Sequence, residues 1–153
     1  NLERLNRWSS AWRMFQERPF FGWGPGTYMF QYAPFQMSDE QTIISTNSGN
    51  MGNAHSEYIG PLAESGIFGM LTFLIIVITV FYRGSLLYHH LPKGEFKTVV
   101  LLALLSLFTY VTHGLLNNYL DTDKVSVPFW GFIAIIVAID VYHSRDSLDS
   151  EAH

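Results

Sequence analysis

Cysteine is missing from all 153 residues, so neither a disulfide framework nor a thiolate metal site can be built, and compartment is left open. Charge is scarce as well. Only 14% of the side chains are Asp, Glu, Lys or Arg, where a soluble domain carries about a quarter. Lys and Arg number 9 against 13 Asp and Glu, a formal net charge of −4. Without a basic excess, nucleic acid is not the partner. Segments 66–82 and 98–120 hold no charged side chain at all, so the mean hydropathy of +0.15 averages two unlike halves. A signal peptide is also lacking, and the chain enters an amphipathic pattern directly from Asn1. This predicts the C-terminal part of a larger membrane protein whose earlier spans precede it.

Three apolar runs are present instead. Gly66–Tyr82 is seventeen residues long and ends at Arg83; Thr98–Leu120 has twenty-three, with its polar members gathered at the far end. The third, Val125–Ile139, opens near Pro128, where a first-turn proline is tolerated. It reaches span length, about 126–143, with Asp140 and Tyr142 at the interface. A hydrocarbon core of about 30 Å needs around 20 helical residues. Three core helices of a soluble bundle would need polar cover that only the N-terminal segment could supply. The hydropathy rule therefore predicts an all-α, polytopic transmembrane fold. In it, residues 1–64 form an extracytoplasmic loop with amphipathic helices and 65–143 form three transmembrane helices, while 144–153 are a disordered cytoplasmic tail. The loop 83–97, with Arg83, Lys93 and Lys97 against Glu95, is assigned to the cytoplasm by its basic excess.

In residues 2–18, Leu5, Trp8, Trp12 and Phe15 recur at helical spacing and make an apolar stripe. Arg4, Arg7 and Arg18 fall within about 60° of one another beside it, and Arg13 points elsewhere. Such a helix lies along a membrane surface or against other spans. Its arginines either snorkel to lipid phosphates or, for Arg4 and Arg7 one turn apart, grip a diphosphate. Pro19 stops the helix. Gly22, Gly24 and Gly26 around Pro25 describe either a structural turn or a nest of amides for an anion. Residues 33–53 read as a mobile loop over a site. Asn53 is expected to cap a helix on which His55, Ile59 and Leu62 share a face. His55 is then an interfacial residue or a catalyst. His113, beside Asn117 and Asn118 at the polar end of the second run, faces a cavity or a partner.

The string R-L-N-R-W (4–8), P-F-F-G-W-G-P-G-T-Y (19–28) and H-S-E-Y-I-x-x-L-A-E-S-G-I-F-G (55–69) resembles the bacterial O-antigen ligase and polymerase superfamily. The pattern there is an arginine four before a tryptophan, a proline followed by G-x-G, and an H-[NS]-x-Y-[LI] helix leading through E-x-G-x-x-G into a span. The resemblance implies a GT-C-like glycosyltransferase of the bacterial inner membrane, acting on the periplasmic face without a cofactor. The donor would be a glycan on undecaprenyl diphosphate. The acceptor would be the lipid A core for a ligase, the growing chain for a polymerase, or protein Ser/Thr for an O-oligosaccharyltransferase. By position, the resemblance implies that Arg4 binds the diphosphate and His55 acts at the acceptor. Arg7 joins Arg4 from wheel geometry alone. Glu57, Tyr58, Glu64 and His113 are further candidates to support His55 or meet the acceptor.

The D-T-D at 121–123 invites a metal reading, which the adjacent Lys124 and the shortness of the turn oppose. Asp121 or Asp123 is expected to pair with Lys124 or to cap a helix, with a role in acceptor binding as the other alternative. A non-catalytic flippase segment is the competing reading from another class. It would need polar residues through the middle of the spans, where LIIVITV, LLALLSLF and FIAIIVA stand.

Overall fold

The computed structural model describes residues 2–45, 52–121 and 123–151. Among them lie five α-helices: α1 (Leu2–Glu17), α2 (Tyr28–Gln31), α3 (Ile59–His90), α4 (Glu95–His113) and α5 (Asp123–Glu151). Short 3-10 turns sit at Ala33–Phe35 and Tyr119–Asp121. The chain divides into two compact units, Asn1–Leu74 with Gly114–Tyr119, and Ile75–His113 with Leu120–His153.

In the first unit, α1 buries a face of Asn6, Arg7, Ser10, Ala11 and Met14, not the aromatic stripe. Leu5 and Trp12 remain about half exposed. The reason is steric: Ala11 and Ser10 let the stacked rings of Tyr28 and Tyr32, 5.2 Å apart, close on the helix. Ala54 and Ala63 complete this core, with Trp23, Phe35 and Ile59 at its edge. Residues 36–45 are tied down rather than loose. Asn6 donates to Gln36 and Ser45, Arg13 pairs with Glu40 at 2.7 Å, and the Thr42 hydroxyl donates to Glu3. The remainder of the expected mobile loop, 46–51, lies outside the described residues.

Two glycine turns interlock to fix where α3 begins. Gly22 has φ 67°, and a Cβ there would stand 2.3 Å from the backbone of Glu64. Gly66 has φ 64° and interrupts α3; its Cβ would stand 2.4 Å from the Phe20 carbonyl oxygen. Hydrogen bonds cross in both directions, from the amides of Trp23 and Gly24 to Ala63 and Glu64, and from Ile67 to Pro19. Both turns therefore need the left-handed region and bare backbone at once. Gly22→Ala and Gly66→Ala are each expected to cost at least about 2 kcal/mol. Gly26→Ala, where a Cβ meets nothing within 4 Å, should cost only the backbone term of roughly 1–2 kcal/mol. Thermal scans of the detergent-solubilised variants rank the three.

The second unit is built on the three long helices. Val77, Val80, Leu87, Val100, Ala103, Leu107, Phe129 and Ile136 form its buried seam. At Gly84 an added Cβ would come within 2.8 Å of Leu104, so this glycine sets a close helix approach. The apolar windows of α3, α4 and α5 are only 17, 22 and 11% buried, which is wrong for core helices of a soluble bundle. Among the described residues the chain is all-α, with three helices long and apolar enough to cross a membrane.

Several of the expected boundaries shift. α3 continues past Arg83 to His90, leaving a loop of only Leu91–Gly94, because Arg83 finds Asp140 of α5 at 2.6 Å. Lys97 covers the Leu91 carbonyl at 3.0 Å, so two of the basic residues assigned to a loop have structural partners. α4 ends at His113, not at 120. α5 starts at Asp123 and runs to Glu151, where a disordered tail was expected from 144. Pro128 thus lies in the second turn of α5 instead of the first, and removes one helical hydrogen bond.

Candidate functional site

The segment between the tied-down loop and α3 is shaped by its own side chains. Asn53 Oδ1 accepts the His55 amide at 2.8 Å, an Asx turn that carries His55 into the left-handed region at φ 49°. A non-glycine residue held there costs of order 1–3 kcal/mol and persists only where its surroundings over-determine it. Ser56 Oγ then accepts from the amides of Tyr58 and Ile59, so Ser56 is the cap of α3. This corrects the expectation for Asn53. The helix starts at Ile59, and His55 precedes it instead of sharing a face with Ile59 and Leu62.

α1 supplies the surroundings. Trp8 Nε1 donates to the Ala54 carbonyl at 2.8 Å, and Arg7 Nη1 donates to the Asn53 carbonyl at 3.2 Å. The same Arg7 nitrogen lies 3.3 Å from His55 Nε2. A guanidinium can only donate, so Nε2 accepts and the neutral ring carries its proton on Nδ1. Arg7 is buried and held from behind by Glu3, whose Oε1 accepts from Nε at 2.9 Å. Burial opposes ionisation of Glu3, but hydrogen bonds from Ser45, Thr42 and Arg7 prevail and hold its carboxyl below the usual range. Tyr28 closes the back of the helix with a 2.8 Å hydrogen bond to the Arg7 carbonyl.

The far side of the histidine comes from Gly114–Tyr119, the turn after α4 that belongs to this unit. The Glu57 amide donates to the Gly114 carbonyl at 2.9 Å, and the His55 ring is hydrogen-bonded to the Asn118 side chain. Partial burial pushes the His55 imidazole below its usual 6.5, and the charges of Arg7 and then Arg4 push the same way; the Asn118 bond partly offsets them. His55 is therefore a neutral base at neutral pH, flanked by cations.

The other candidates disperse. Arg4, partly exposed, makes no hydrogen bond or ion pair with any described residue. Arg18 stacks over Trp23 at 3.9 Å, and Arg13 is used on Phe35 and Glu40. Glu57 is buried. The Tyr58 ring meets Phe73 edge-on at 6.1 Å, and burial, then Glu57, pushes its phenol up. Glu64 has a different occupation: its two carboxylate oxygens accept the amides of Gly26 and Tyr28, each at 2.9 Å. The glycine turn is thus an anion nest whose anion is internal. His113 closes α4 in the other unit. Thr122 lies outside the described residues, and Asp121 belongs to the 3-10 turn before α5. Among the described residues no three His, Asp or Glu side chains gather as a metal cage would require.

Asn118 is the site residue that the sequence did not single out for His55. Its one signal was the polar N-N pair closing an otherwise apolar run, which marked the region but not its partner 63 positions earlier.

Residues 1–74 match the family model described as O-Antigen ligase. No curated protein and no solved structure gives a significant match to the chain. The matched stretch holds α1, both glycine turns, Glu64 and His55, and it ends at Leu74, where the first unit gives way to the second. The match bears out the resemblance carried by the arginine, glycine and histidine motifs over residues 1–74, just under half of the chain.

Proposed function

We propose that this chain is the C-terminal part of an O-antigen ligase-like glycosyltransferase of the bacterial inner membrane, with its site on the periplasmic face. The observation that carries the reading is the contact of Arg7 with His55 at 3.3 Å, with the charge of Arg4, which bonds no described residue, acting on the same ring. Cations next to a neutral base suit a reaction in which a diphosphate leaves and a hydroxyl attacks. The donor is a glycan on undecaprenyl diphosphate; the acceptor is a sugar hydroxyl of the lipid A core. The acceptor oxygen forms a bond to the anomeric carbon as the bond from that carbon to the diphosphate oxygen breaks, inverting the centre. The hydroxyl proton passes to His55 Nε2, and the electron pair leaves with the lipid diphosphate.

In the free chain the Nε2 lone pair is directed at Arg7. A bound diphosphate competes for the same Nη1 group, while Arg7 Nε keeps its ion pair with Glu3. Donor binding then frees the base for the acceptor, and Asn118 keeps the ring oriented. Charge-assisted arginine contacts stabilise the departing diphosphate in place of a divalent ion. Transfer by the intact enzyme is accordingly expected to persist undiminished in EDTA. Loss in EDTA with restoration by manganese would return the Asp121–Asp123 turn to consideration.

Within the superfamily, the alternatives are a polysaccharide polymerase and a protein O-oligosaccharyltransferase. A deletion strain separates them. Lipopolysaccharide without any capped core means ligase; retention of a single repeat means polymerase; unaltered lipopolysaccharide with unglycosylated protein means the third. A non-catalytic flippase segment is the reading from outside the enzymes, and the apolar span centres weigh against it.

A further inference from the structure

Three phenylalanine rings stand outside everything described above. Phe20 and Phe21, in the turn after α1, are 60 and 78% exposed, and Phe68, at the start of the span in α3, is 52% exposed. They touch one another: Phe68 is stacked on Phe20 at 6.1 Å and tilted against Phe21 at 5.6 Å. Exposed aromatics on a loose loop would mean little, but this turn is locked. Ile67 donates to the Pro19 carbonyl at 2.8 Å, Gly22 to Arg18 at 3.1 Å, and the bare backbone of Gly66 lies against Phe20. A rigid turn that presents apolar rings outward keeps them from folding back into the core.

We propose that Phe20, Phe21 and Phe68 form a wedge that enters the lipid bilayer at its interface and fixes the depth of the Arg7–His55 site above the membrane. The occupant is lipid for three reasons. The patch is continuous with the helix that carries the span: Leu71, one turn beyond Phe68, is 45% exposed. The polar side chain on that strip, Thr72, spends its hydroxyl hydrogen on the Phe68 carbonyl at 2.8 Å, which suits hydrocarbon better than a polar protein surface. The chain also changes character abruptly, from exposed Glu17 and Arg18 to Pro19 and the two rings. Such a step from charge to apolar surface matches the boundary between headgroups and acyl chains. A site that acts on a lipid-linked substrate needs its height over the membrane held constant, and the interlocked glycines tie the wedge to the Glu64 end of α3 in the same unit.

The absence of cysteine makes the test direct. Phe21→Cys, Phe68→Cys and Glu17→Cys are each spin-labelled in the full chain, reconstituted in nanodiscs of phosphatidylethanolamine and phosphatidylglycerol. Relaxation by oxygen, which concentrates in the bilayer, is compared with relaxation by a water-soluble nickel chelate. At 21 and 68 oxygen should dominate, and at 17 the nickel complex should. Nickel dominance at 21 and 68 would put the rings in water and overturn the proposal. Protection from both reagents would overturn it equally, by showing that protein covers them. Neither result depends on transfer activity, so the wedge and the reaction fail separately.

Discussion

Replacing His55 by alanine is expected to lower glycan transfer by the intact enzyme by about 10²–10⁴-fold, the usual worth of a positioned general base, with expression and membrane insertion unchanged. The alanine removes no core side chain, and it relieves nothing in Arg7, which keeps Glu3 and the Asn53 carbonyl. The pH profile adds a second reading of the same group. Burial, Arg7 and Arg4 all disfavour the imidazolium, so the base form persists on acidification. The acid limb of the rate should therefore fall below the ordinary 6.5 of histidine, not above it. Asn118→Ala removes the one interaction that favours the protonated ring. It should move that limb lower still while reducing kcat, because the ring loses its orientation. A structural asparagine would change stability and leave the limb in place. Full transfer by His55→Ala would end the assignment of His55 as base.

Much of this arrangement could be read along the chain, and its failures have physical causes. Period and length placed α1 and the three long helices, since an uncharged run of span length has few alternatives. Gly66 was legible as the start of the first span, and it is there that α3 breaks. What periodicity could not say was which face of α1 is buried. An aromatic stripe has the same pattern whether it faces a core or a membrane, and here the core took the small and polar face of Ser10 and Ala11. The glycine nest was legible as a set of amides, but not its anion, because Glu64 lies 36 and 38 residues from the amides that it receives. His55 was legible from the pattern as either an interfacial residue or a catalyst, and only the family motif favoured the second. Its backbone was misread because Asn53 has two local options, capping a helix or turning the chain, and Ser56 stood ready to take the cap. Long-range pairs such as His55 with Asn118 leave no periodic trace.

Arg4→Ala and Arg7→Ala should part company, though the sequence presents them as a pair. Arg4 bonds no described residue, so its removal resembles an ordinary surface substitution, within about 0.5 kcal/mol in stability. If its guanidinium meets the diphosphate, transfer should still fall by about 10²–10³-fold, the effect of deleting one donor to a developing anion. Arg7 has two functions at once. Its loss takes the charged donor from the Glu3 carboxylate and one donor from the Asn53 carbonyl, which should cost about 2–3 kcal/mol as well as transfer. It also removes a charge that holds the His55 pKa down, so any residual activity should show its acid limb at higher pH than the parent enzyme. Arg7→Lys would not restore this, because one ammonium cannot keep Glu3 at Nε while offering a second nitrogen to His55 and the diphosphate. Melting temperature, donor KM and the pH profile of the three variants decide the matter. A stable Arg4→Ala enzyme with parental donor KM and kcat would take Arg4 out of the donor site and leave Arg7 alone with the diphosphate. A destabilised one would mean that Arg4 has a structural partner beyond the described residues. The expected pattern is a stable, inactive Arg4 variant beside an unstable Arg7 variant with a displaced acid limb. Only an enzyme in which one arginine meets the substrate and the other bridges substrate, base and scaffold would give it.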